Sequence, residues 1–118
     1  MTSQPRPIFW HHRARKDFET KFPQTVQDAV AVALEIVQVG GMPMNAKVLK
    51  GFHGAAVLEL RDQHKGVAYR VAYTVALPDG IWVLHAFIKK SKKGVETPRS
   101  EMQKISDRFE EVRRNARD

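Results

Sequence analysis

The sequence contains no cysteine, which removes disulfide staples, thiolate zinc sites and cysteine nucleophiles together. No apolar run approaches the ~20 residues a membrane helix needs, and Met1-Thr-Ser-Gln-Pro-Arg6 lacks the apolar segment of a signal peptide. A cytoplasmic protein without membrane association is expected. Gly-x-Ser-x-Gly, P-loop and dinucleotide fingerprints are missing, so acyl transfer and nucleotide hydrolysis have no motif to rest on. Metal chemistry has no convincing cluster: His11 and His12 are adjacent and point apart on a strand, and the acids show no paired spacing. No metal and no organic cofactor is expected. Internal repeats, low-complexity tracts and linkers are absent too, and 118 residues suit a single domain spanning 1–118.

Acidic residues are also in short supply. Thirteen Asp and Glu face twenty Lys and Arg, giving a net charge of +7 and a pI near 10.0. Such a balance suggests an anionic partner, and its distribution sharpens the point. Residues 23–46 hold no lysine or arginine, whereas residues 47–93 hold nine against three acids. Within that stretch the apolar run from Ile81 to Ile88 passes directly into Lys89-Lys90-Ser91-Lys92-Lys93. A strand there would be buried along most of its length and would push concentrated positive charge out at its end.

Periodicity supplies the elements. Pro7-Ile-Phe-Trp10 reads as a first strand. Ala14, Phe18 and Phe22 recur every four residues and predict a short helix from Arg13 until Pro23 interrupts it. Val26, Ala29, Val30, Ala33, Leu34 and Val37 trace an amphipathic helix over Thr25–Val39, stopped by Gly40-Gly41. Residues 42–56 read as irregular, a loop or an edge. Three strands follow at 57–61, 67–75 and 81–89, with Pro78-Asp-Gly80 as a turn, and connections this short require antiparallel neighbours. Thr97-Pro98 suits a helix start with threonine as N-cap, and Met102, Ile105, Phe109 and Val112 form the buried stripe of a last helix. The expected fold is α+β, ordered β-α-α-β-β-β-α, an antiparallel sheet packed against an N-terminal helical hairpin and a C-terminal helix.

Strand alternation then assigns faces. Leu58 and Leu60 separate from Glu59 and Arg61. Tyr69, Val71 and Tyr73 separate from Ala68, Arg70 and Ala72. Trp82, Leu84, Ala86 and Ile88 separate from Val83, His85, Phe87 and Lys89. With the more apolar faces against the helices, an exposed face presents Glu59, Arg61, Arg70, His85, Phe87 and Lys89. That set suits RNA. Cations bind phosphates and can stabilise charge building up at phosphorus, an aromatic ring stacks an unpaired base, and imidazole or carboxylate moves a proton from a 2′-hydroxyl. A plainer reading stands beside it. Arg70 and Glu59 also suit a structural ion pair, His85 a satisfied scaffold histidine, and the lysine run a solvated loop.

Lys47-Val-Leu-Lys-Gly51, Leu58-Glu-Leu-Arg61, Tyr69-Arg-Val-Ala-Tyr73, Val83-Leu-His-Ala-Phe-Ile-Lys-Lys-Ser91 and Thr97-Pro98 together resemble the RelE/ParE toxin superfamily, most of all its HigB-like, phage-related branch. The resemblance runs along essentially the whole chain, although no single motif is diagnostic. It implies the toxin of a type II toxin–antitoxin pair, a metal-independent endoribonuclease that cuts messenger RNA on the ribosome by 2′-hydroxyl attack on the adjacent phosphate. It further implies a cognate antitoxin, often a helix-turn-helix protein. By position, Arg70 resembles the arginine used on the scissile phosphate, and Lys89 or Lys90 the later basic residue that stabilises the transition state. Glu59 stands where relatives carry lysine or glutamate, making it a candidate general base. Arg61 resembles a supporting contact, and Lys47, Lys50, Phe87, Lys92 and Lys93 would complete RNA binding. One departure weakens the parallel: many relatives place tyrosine or histidine near the chain end, and this chain has neither after His85. Either His85 and Phe87 substitute, or catalysis is weak. A ParE-like gyrase inhibitor, or an inactive homologue that binds only antitoxin or nucleic acid, remains the alternative.

Overall fold

Gly40 and Gly41 end the helical hairpin through backbone geometry. Gly40 adopts φ 91°, its N–H bonds the Val37 carbonyl at 3.0 Å, and the Gly41 N–H reaches back to the Ile36 carbonyl at 2.9 Å. This pair of bonds satisfies the last carbonyls of the helix and turns the chain towards the sheet. The computed structural model describes residues 4–90 and 96–115. Its elements are β1 (Ile8–Trp10), α1 (His12–Lys21), α2 (Gln24–Gln38), β2 (Ala46–Val48), β3 (Val57–His64), β4 (Val67–Thr74), β5 (Ile81–Lys89) and α3 (Arg99–Asn115).

The α+β class and the order of the long elements match the sequence reading, with two additions. Residues 46–48, expected to be irregular, form the edge strand β2 against β3. The sheet is mixed rather than wholly antiparallel, because β1 lies parallel to β5 in the order β1-β5-β4-β3-β2. The short-connection argument applies only to consecutive strands, and β1 reaches β5 after the helical hairpin and three intervening strands. Gly80 admits this pairing: a Cβ there would lie 2.6 Å from the Pro7 carbonyl oxygen, and that oxygen accepts the Ile81 N–H at 2.9 Å. Between β3 and β4, Lys65 and Gly66 both adopt positive φ, the conformation of a tight two-residue hairpin turn.

Two cores sandwich the sheet. One face joins α1 and α2 to Leu58, Leu60, Tyr69, Val71, Tyr73, Ile81, Val83 and Ala86. Rings run through it from Trp10 to Phe18, Phe22 and Tyr69, with successive centroids 4.8–5.2 Å apart. The opposite face packs Ile105, Phe109 and Val112 of α3 against Ala72, Leu84 and Phe87. The α3 stripe therefore has a core of its own, on the face that alternation had left open.

Candidate functional site

The polar face is organised by a bulge in β5. Ala72 pairs with His85 while Tyr73 pairs with Val83, so Leu84 is an extra residue in the ladder. Leu84 and His85 consequently both serve the α3 side, and the alternation reverses between them. From His85 onwards the expected division holds, with Ala86 in the hairpin core and Phe87 under α3. Before the bulge it inverts: Val83 lies in the hairpin core and Trp82 packs on the α3 side.

The larger correction concerns exposure. Glu59, Arg70, His85, Phe87 and Lys89 are all buried, because α3 and the segment leading into it cover the face expected to be open. Arg61 is partly accessible, and Lys47, Lys50 and Lys90 are exposed. Lys92 and Lys93 lie outside the described residues.

The register places these residues in rows. Lys47, Glu59, Ala72 and His85 are successive cross-strand partners, followed by the row Arg61, Arg70 and Phe87, and then Ala68 beside Lys89. Like charges directly opposite are unfavourable, yet Arg61 and Arg70 stand in that relation. Glu59 reconciles them. Its Oε1 accepts from Arg70 Nη1 at 2.9 Å and from Arg61 Nε at 3.0 Å, and its Oε2 accepts the Thr97 hydroxyl at 2.9 Å. Glu59 is fully buried, so its carboxylate is an internal anchor for two guanidinium groups, with no face turned to solvent. Two cations around one carboxylate leave a net positive charge beside exposed Lys47, the cross-strand partner of Glu59.

His85 is engaged on both ring nitrogens. Nδ1 lies 2.9 Å from Arg108 Nη1, which can only donate, so Nδ1 is the acceptor and the proton sits on Nε2, 2.6 Å from Glu101 Oε1. Burial, the largest influence, holds its pKa below the usual imidazole value, against the upward pull of the Glu101 hydrogen bond. The ring stacks on Phe87 at 4.8 Å, so in this arrangement Phe87 meets imidazole rather than an open surface.

Two residues escaped the sequence reading. Thr97 does not cap the last helix as its spacing predicts: α3 starts at Arg99, the Met102 N–H bonds the Pro98 carbonyl, and the Thr97 side chain goes to Glu59. Nothing in local patterning signals a partner 38 residues away. Arg108 did carry a signal: it sits between Ile105, Phe109 and Val112 on the buried stripe of α3, an inward position for an arginine.

A model of the family described as Phage derived protein Gp49-like (DUF891) matches residues 17–110, from α1 to within α3. The chain belongs to this Gp49-like family. Gp49-like proteins are a phage-derived branch of RelE/HigB-like toxins, and the β-α-α-β-β-β-β-α order seen here is consistent with that membership. A search of curated proteins finds no match to this Gp49-like chain. Among the described residues no helix is long and apolar enough to cross a membrane, and no cluster of His, Asp and Glu is suited to a metal ion.

Proposed function

We propose that this Gp49-like protein is the toxin of a type II toxin–antitoxin pair and a ribosome-dependent, metal-independent messenger RNA endoribonuclease. The observation that carries the reading is the opposed Arg61–Arg70 pair, held by one carboxylate and flanked by exposed lysines. A guanidinium pair fixed before substrate arrives suits a phosphate whose non-bridging oxygens gain charge during in-line attack by the 2′-hydroxyl. Arg61, the accessible member of the pair, would take the phosphate with buried Arg70 behind it, exposed Lys90 rather than buried Lys89 would add charge at the exit of β5, and Lys47, Lys50, Lys92 and Lys93 would hold the backbone. Glu59 then serves by fixing the two arginines. As the 2′-oxygen bonds to phosphorus the P–O5′ bond breaks, the 2′-hydroxyl proton passes to water and the departing 5′-oxygen takes one from solvent, leaving a 2′,3′-cyclic phosphate and a 5′-hydroxyl. Orientation on the ribosome and charge stabilisation supply the acceleration. The test is to map RNA 5′ ends after induction of the wild type and of Arg70→Ala. New ends inside translated messages that vanish in the folded variant support the proposal; intact messages with abundant wild-type protein refute it.

One observation favours a second reading. Glu59 and His85, the candidate bases of the face, are buried with hydrogen-bonding atoms already engaged. A ParE-like gyrase inhibitor with no proton-transfer chemistry needs neither. Inhibition of supercoiling by purified gyrase, with messages left intact, would establish that alternative. Either activity would call for a cognate antitoxin, and a helix-turn-helix protein encoded beside this chain would support the pairing.

A further inference from the structure

Arg108 is nine-tenths buried, yet no carboxylate stands at ion-pair distance from it among the described residues. Its recorded hydrogen bonds run from Nη1 alone to neutral acceptors, the Leu84 carbonyl at 3.1 Å and His85 Nδ1 at 2.9 Å. Arg70, the other buried arginine, has Glu59, whereas half-buried Arg6 is likewise held by carbonyls alone, those of Val75, Leu77 and Gly80. An enclosed cation with no direct ion pair is costly: burial is the main influence lowering the pKa of Arg108, and Asp17, Glu111 and Glu101 oppose it only through space.

Arg108 lines a cleft of about 240 Å³ between the start of α1 and the middle of α3, together with His11, His12, Arg13, Lys104, Asp107 and Glu111. The two carboxylates there already hold donors of their own: Asp107 accepts from Gln103 Nε2 and Glu111 accepts from His11 Nε2, each at 2.9 Å. Arg13 has no ion pair among the described residues, and Lys104 has only a loose contact of 3.8 Å with Glu101. The first turn of α1 contains no acid; His11 Nδ1 caps its end by accepting the Arg13 N–H at 3.3 Å, so no carboxylate of that turn offsets the dipole.

We propose that this cleft is a phosphate-binding site, in which Arg13 and Lys104 close from the rim on an oxyanion whose charge is met at the base by Arg108. The ligand is a phosphate monoester or diester, supplied either as a free phosphate or nucleotide or as an RNA backbone. The cleft is distinct from the Glu59 cluster, since its lining includes none of Glu59, Arg61, Arg70 and Lys89, and the proposal does not depend on nuclease activity.

The test uses the full chain and backbone amide NMR. Inorganic phosphate is titrated at constant ionic strength against a chloride control, followed by 5′-AMP and then a short single-stranded RNA. Saturable shifts at His12, Arg13, Lys104 and Arg108 are expected with phosphate and not with chloride. The exposed pair Arg13→Gln/Lys104→Gln should weaken binding roughly tenfold or more with an unchanged Tm. Displacement of phosphate by RNA identifies the backbone as the source; binding of phosphate or AMP without RNA identifies the small ligand. Equal shifts with chloride, or full affinity in the double variant, overturn the site.

Discussion

Arg61 and Arg70 face each other directly across β3 and β4 and share a single acceptor, Oε1 of Glu59. Two like charges in that relation persist only while the carboxylate stands between them, so Glu59 is a keystone first, whatever else the face does.

Glu59→Gln should therefore be expensive. Removing one partner of a buried ion pair strands the remaining charges, with a typical cost of about 3–5 kcal/mol. Urea denaturation of the purified variant gives the number directly, and a loss below about 1 kcal/mol would show that the arginines do not depend on it.

Lys47 and Lys90 are exposed and should act on RNA through charge alone. Each lysine-to-glutamine change should lower the salt slope of RNA binding by about one while leaving the folding midpoint within error. Arg70→Ala should instead damage both affinity and stability, because it also vacates Glu59. If the lysine variants bind RNA with the wild-type salt dependence, the backbone runs elsewhere.

Acid should loosen α3. Burial holds His11 and His85 below the usual imidazole value, more than offsetting the hydrogen bonds they donate to Glu111 and Glu101. Below about pH 6.5 the unfolded chain then binds protons that the folded chain refuses, so stability is full above that value and falls on acidification until the lower folded values are reached. The slope is at most about 1.4 kcal/mol per pH unit for each histidine. Denaturation midpoints measured from about pH 7.5 to about 5.5 test this. His85→Gln should flatten part of the decline; an undiminished slope in that variant would assign the proton uptake elsewhere.

Gly80→Ala tests the parallel strand. The added methyl would meet the Pro7 carbonyl oxygen at a backbone φ of 152°, so β1 must shift or detach. A destabilisation of about 1–3 kcal/mol is expected, with amide exchange rising first in residues 8–10. Wild-type protection there would mean β1 is held by its side chains alone.

Periodicity made most of the elements legible: β5 begins and ends where the apolar run predicts, and Leu58, Leu60, Tyr69, Val71 and Tyr73 fall on the expected face. It failed at Leu84, because an extra residue in a ladder leaves no mark in a run of uniformly apolar side chains. It also failed to say where α3 docks. Met102, Ile105, Phe109 and Val112 announce a face to bury but not its partner, and the counterpart, Ala72, Leu84 and Phe87, was hidden among charged neighbours. The charged cluster itself was readable residue by residue. Its closure was not, since Thr97 and Arg108 act through contacts far apart in sequence.

The sheet's free borders are β1 and β2, each only three residues long, while β3, β4 and β5 are eight, eight and nine. A stray strand arriving at either border finds too few open backbone groups for a lasting ladder, and at β2 it also meets exposed Lys47. Ile81–Val83 of β5 and Leu58–Leu60 of β3 are thereby withheld from cross-molecular pairing, and the chain guards these segments against fibrous stacking by keeping its outermost strands brief.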